Sequence, residues 1–152
     1  MTSTDAFLRD TLHSTRVIAV VGFSPDPERP SHYVAEYLKA QGYRVIPVNP
    51  GQAGKVLLGE TVHASLSEIP ADIHVDMVDI FRRPEAVPEV VDEAIAALPH
   101  LRTIWMQLGI SHPAAAAKAR AAGLGVVENR CPRIEIPRLF GARSPLAPPV
   151  SG

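Results

Sequence analysis

The chain has 152 residues, 46% hydrophobic and 20% charged, a formal net charge of −1 and one cysteine, Cys131. That length suits a single hydrophobic core, and the near-neutral charge supplies no general attraction to nucleic acid or an anionic membrane. Few aromatics argue against stacking platforms for single-stranded nucleic acid, and a lone cysteine excludes an intrachain disulfide framework.

No apolar run approaches the roughly 20 residues that span a bilayer, and Met1 to His13 lacks an apolar core of signal length. The expectation is a cytoplasmic protein with no nucleic-acid and no membrane partner.

In chain order, Asp5 to His13 reads as a short amphipathic helix carrying Phe7, Leu8 and Leu12. Val17 to Val21 is a continuous β-branched run, the pattern of a strand buried on both faces. Gly22 turns the chain, and Pro25, Pro27 and Pro30 forbid the strand from continuing. Ser31 is expected to cap a helix through Val34, Ala35, Tyr37 and Leu38 that stops at Gly42. Arg44 to Val48 is a second strand, followed by Asn49 between two prolines. Gln52 to His63 reads as loop with one short strand, and Ser67 as the cap of a brief turn around Leu66 and Ile69. Ile73 to Ile80 is a third strand, in which Asp76 and Asp79 are read as structural hydrogen-bonding groups. Pro84 opens a helix to Leu98, Thr103 to Leu108 is a fourth strand, Pro113 opens an alanine-rich helix ended by Gly123, and Gly125 to Glu128 is a fifth strand. Residues 1–143 form one domain in this reading, and Ser144 to Gly152, with three prolines, a disordered tail.

Strands alternating with helices predict an α/β, Rossmann-like, doubly wound, mostly parallel five-stranded sheet with helices on both faces. All strand ends then share one edge, where ligands bind in such sheets. That edge receives Gly22 and Ser24, Arg29, Asn49, Phe81 with Arg82 and Arg83, Gln107 and Gly109, and Asn129 with Arg130 and Cys131. Arginines converging beside a helix N-terminus suit a polyphosphate. A dinucleotide fingerprint is absent, since only Gly22 occupies the first loop and Asn49 stands where an acid would hold a ribose; an NAD site is the weaker option. A Walker A loop is absent too.

The segments GFSPDPERPSHYVAEYLKAQGYRVIPVNP, LLGETVHASLSEIP, VDMVDIFRRPE, IWMQLGI and ARAAGLGVVENRCPRIE together resemble the small stand-alone CoA-binding proteins. Those are similar to the CoA-binding domain of the succinyl-CoA synthetase α subunit. The resemblance covers Thr15 to Glu135 and implies coenzyme A as the cofactor. By position it implies ligand contacts at Gly22, Ser24, Arg29, Pro47, Val48, Asn49, Phe81 and Arg82. The synthetase's phosphohistidine domain and grasp partner have no counterpart here, so ligase activity does not carry over. The chemistry agrees: pyrophosphate and 3′-phosphate suit the arginines, Pro47, Val48 and Phe81 are available to an adenine, and Gln107, Gly109 and Asn129 to a pantetheine arm.

The histidines show no metal-ligand spacing, and no nucleophile, base and orienting group can be assembled. The favoured reading is a non-enzymatic or regulatory binder of coenzyme A or an acyl-CoA. The alternative is a CoA- or nucleotide-dependent enzyme with a reactive Cys131 or His32. A homo-oligomer or a protein partner stays open.

Overall fold

In the computed structural model, which describes residues 3–147, the chain runs α1 (Asp5–Ser14), β1 (Val17–Val21), α2 (Pro30–Ala40), β2 (Arg44–Val48), β3 (Val56–Leu57), β4 (Glu60–Thr61), β5 (Met77–Ile80), α3 (Val87–Ala97), β6 (Thr103–Met106), α4 (Pro113–Ala121), β7 (Gly125–Val127) and α5 (Pro132–Phe140). Five strands form one parallel sheet in the order β2-β1-β5-β6-β7, the doubly wound architecture expected from the alternation. Successive strand side chains point to opposite faces. Ile18, Val20, Met77, Trp105 and Val127 pack with α1, α2 and α5, while Ala19, Val21, Val78, Ile80, Ile104 and Met106 pack with α3 and α4. Burial on both faces explains why each strand reads as an uninterrupted apolar run. The chain leaves β1 toward β2 on one side and returns to β5 on the other, opening a crevice beyond their carboxyl ends. No helix among the described residues is long and apolar enough to cross a membrane.

Several local expectations change. Pro30 takes the first position of α2, so Arg29 is its N-cap and Ser31 lies inside the helix, its Oγ accepting from Ser24 N at 2.9 Å. The 52–63 segment holds two short strands, β3 and β4, paired antiparallel across Leu58 and Gly59, both at positive φ. Ser65 rather than Ser67 precedes the turn at Leu66–Glu68, and the Ser67 hydroxyl bonds Glu93 at 2.9 Å. The third strand is confined to Met77–Ile80; upstream Ile73 N closes a turn on Pro70 O, and the Asp76 carboxylate accepts from Arg16 N and Val17 N, each at 2.8 Å. Helix α5 occupies a stretch to which the sequence reading assigns no element. Part of the expected tail is packed: Ser144 Oγ donates to Gln41 O at 2.6 Å and Leu146 joins the core beside α1 and α2. Residues 148–152 lie outside the described residues.

Asp79 departs most from expectation. It pairs in register with Val20 and Trp105, is fully buried, and neither carboxylate oxygen has a hydrogen-bond partner among the described residues. Burial pushes its pKa well above the ordinary 3.8, so the native state holds the proton that the unfolded chain releases. Its stability contribution is full below that ordinary value and declines as pH rises toward the native pKa. Asp79→Asn escapes the decline. Its advantage in thermal midpoint over the parent should therefore grow between about pH 4 and the native pKa and level off beyond it. Melting curves across that range decide the matter, and a difference independent of pH would contradict a neutral buried Asp79.

Candidate functional site

The crevice is built around the turn after β1. Gly22 has φ +87°, and a Cβ there would lie 2.4 Å from the carbonyl oxygen of Phe81. Both Gly22 N and Phe23 N donate to the Val48 carbonyl, at 3.1 and 3.2 Å, tying the turn to β2. The glycine is thus demanded first by the protein's own backbone. Asn49 latches the loops from the other side: its Nδ2 donates to Phe23 O at 2.7 Å and its Oδ1 accepts from Gly51 N at 2.8 Å.

The loop to α2 is held by its own side chains. Ser24 Oγ accepts from Asp26 N at 3.1 Å, and Asp26 Oδ1 accepts from Glu28 N at 3.0 Å. His32 Nδ1 donates to Ser24 O at 2.8 Å, while its Nε2 lies 2.8 Å from the Glu36 carboxylate. Its ring also packs against Phe23, with centroids 5.1 Å apart. Both nitrogens of His32 are therefore engaged in bracing the loop.

A groove of three connected sections follows the carboxyl edge. The first, about 600 Å³, is lined by Val48, Asn49, Pro50, Ser65 and Glu93, and shares Gly22 and Arg82 with the next. The middle section, about 590 Å³, is lined by Ser24, Arg29, Ser31, Phe81 and Arg83. It shares Pro30, Gln107 and Leu108 with the third, about 550 Å³, which lies between α2 and α5 and is lined by Tyr33, Tyr37, Cys131 and Ile134. The side chains of Arg29, Arg82 and Arg83 are exposed and have no hydrogen-bond or ion-pair partner among the described residues. The middle section therefore carries uncompensated positive charge beside the first turn of α2, whose cap residue supplies no side-chain hydrogen bond.

Of the residues predicted from sequence, Gly22, Ser24, Arg29, Val48, Asn49, Phe81, Arg82, Gln107 and Cys131 line this groove. Four others are not among the residues lining its three sections. Pro47 is buried within β2, with its carbonyl accepting from His63 N. Asn129, at φ +57°, accepts through Oδ1 from Gly109 N at 2.6 Å, so these two residues tie the loops after β6 and β7 together. Arg130 is bound 2.7 Å from Glu135, a buried carboxylate that also meets Arg138 at 2.6 Å. Trp105 Nε1 donates to Arg130 O at 2.8 Å, fixing the backbone just before Cys131 at the N-cap of α5.

Sequence reasoning missed Arg133 and Ile134 because it assigned no helix after β7, and without that facing wall it gave Tyr33 and Tyr37, on the helix it did expect, no groove to line. The signal was Pro132 at a helix start, followed by Ile136, Leu139 and Phe140 at helical spacing.

A doubly wound parallel sheet with a braced, cationic loop at its switch point defines a class of proteins that hold ligands along the sheet edge. The chain belongs to the CoA binding domain family, whose match spans residues 16–137. It is 33% identical over 129 residues to the uncharacterized protein YneT of Bacillus subtilis (strain 168), covering 85% of this chain and 91% of that protein. Among solved structures it is similar to cell-free ID.343 from Thermus thermophilus, with 42% identity, a TM-score of 0.84, and 91% of this chain and 100% of that one covered. A hypothetical protein from Pyrococcus horikoshii OT3 is 37% identical at a TM-score of 0.82, covering 91% of this chain and 94% of its own.

The geometry at Gly22 makes a direct prediction. Gly22→Ala forces a side chain into a left-handed conformation, which costs about 1–2 kcal/mol by itself, and drives its Cβ against Phe81 O. Thermal denaturation should show a clear loss of stability. A variant as stable as the parent would mean that the two strand ends are not held this closely.

Proposed function

We propose that this protein is a cytoplasmic binder of coenzyme A or an acyl-CoA, acting as a binding or regulatory module. The observation that carries the reading is the set of unpaired Arg29, Arg82 and Arg83 at the middle of a groove with open sections on either side. Coenzyme A has that distribution of chemistry: a nucleoside, a run of phosphates, then a long arm with amide groups. The phosphates go to Arg29, Arg82, Ser24 and the first turn of α2, where charge-assisted hydrogen bonds are strongest. The adenosine goes to the section beside Val48 and Asn49, with Phe81 at its border. The arm runs past Gln107 toward Cys131. In this reading Pro47, Gly109, Asn129 and Arg130 support the walls, and Gly22 permits the turn. The enzymatic alternative finds less support, because His32 is engaged at both ring nitrogens and Cys131 is only 7% exposed.

Calorimetry with coenzyme A tests the proposal. Affinity should fall as salt is raised, since exposed charges are screened. Arg29→Ala and Arg82→Ala should each weaken binding by roughly 1.5–3 kcal/mol, the range for a hydrogen bond to a charged group. Unchanged affinity in both variants would overturn the phosphate assignment.

A further inference from the structure

Gln107 marks a change of character along the groove. It is 5% exposed, it lines both the middle and third sections, and its Oε1 has no hydrogen-bond partner among the described residues. A buried carbonyl without a donor is unfavourable, so this atom is placed to accept from an N–H brought by a ligand. An arm with secondary amides threading from the middle section supplies such a donor. Beyond Gln107 the lining is mostly apolar. Val34, Tyr37, Ile134 and Pro137 line the third section, and Cys131, a small and weakly polar side chain, lines it as well. Tyr33, Leu108 and Ile134 are 37%, 57% and 54% exposed, three of the few large hydrophobic side chains left open to solvent. The one cation in this section, Arg133, stacks over the Tyr33 ring at 5.1 Å, so its charge is already directed onto an aromatic face.

From this we infer that the cleft between α2 and α5 is an acyl pocket, and that the ligand it completes is a thioester of a medium-chain aliphatic acid rather than free coenzyme A. The inference rests on the coenzyme A reading above. An arm held at Gln107 places its sulfur end at the mouth of the cleft, and whatever that sulfur carries enters it. Free coenzyme A would leave the apolar walls facing water. An aliphatic chain covers them, and a terminal carboxylate would be desolvated there with only Arg133, already stacked on Tyr33, as partner.

Calorimetry with coenzyme A, octanoyl-CoA and succinyl-CoA, each below any micellar concentration, is the test. Octanoyl-CoA should bind at least about tenfold tighter than coenzyme A, which burial of two or three methylenes already supplies. Succinyl-CoA should gain little. Ile134→Glu, at an exposed position that leaves folding intact, should remove the octanoyl gain and leave the affinity for coenzyme A in place. Binding of coenzyme A with no octanoyl gain would overturn the acyl pocket while the coenzyme A reading stands. A gain that persists in Ile134→Glu would overturn its location. No binding of any of the three would overturn the coenzyme A reading, and the acyl pocket with it.

Discussion

The approach of Gly22 to the Phe81 carbonyl governs the geometry of this protein. With no room for a Cβ between them, the ends of β1 and β5 are held closer than side chains would allow. Three consequences follow. The backbone after β1 must turn immediately, which directs Phe23 back under the sheet edge and into the core with α2. The Val48 carbonyl is left facing two N–H groups at once, so β2 joins the same knot. Arg82, one residue beyond the contact, reaches the boundary between two sections of the groove. A cationic site is thus positioned by backbone contacts that exist before any ligand arrives, which reduces the ordering that binding must impose.

Two buried carboxylates show opposite solutions to one problem. Glu135 is nearly enclosed, yet Arg130 and Arg138 each donate to it, and Arg138 continues to Asp5 at 2.9 Å. The chain of charges fastens α5 to α1 at the edge of the core. Asp79 has no such partner among the described residues, and burial instead pushes its pKa up, favouring the neutral acid. The first arrangement pins an element in place, and removing either arginine would leave the buried carboxylate with one of its two partners. The second makes the centre of the sheet sensitive to pH without touching the surface.

Much of the architecture was legible because the sheet is buried on both sides. VIAVV and TIWM need no partner to declare themselves as strands, and Pro113 announces a helix start, while Pro84 opens only the 3-10 turn that leads into α3. The crevice followed from topology alone, since parallel strands put their loops on one edge. What stayed hidden depended on competition between neighbours. Ser31 has the chemistry of a cap, but Pro30 before it claimed the first helical position. Arg130 reads as one more cation on the edge, and only the fold reveals Glu135 beside it. Helix α5 was obscured by Pro137 in its interior and by the charges alternating through PRIEIPRLF. With it went the whole wall that Arg133 and Ile134 contribute to the groove.

The indole of Trp105 gives the molecule a built-in optical reporter. It is the only tryptophan in the chain, it is wholly buried, and its N–H is bonded to the carbonyl directly before Cys131. Its emission therefore arises from one environment and senses one joint, where the last strand hands over to α5. Any event that shifts that joint, from ligand arrival to the first loosening of the helix, changes the indole's hydrogen bond and polarity together. A shift in emission wavelength can then follow motion at the far end of the groove, separately from the charged loop where the nucleotide end is expected to sit.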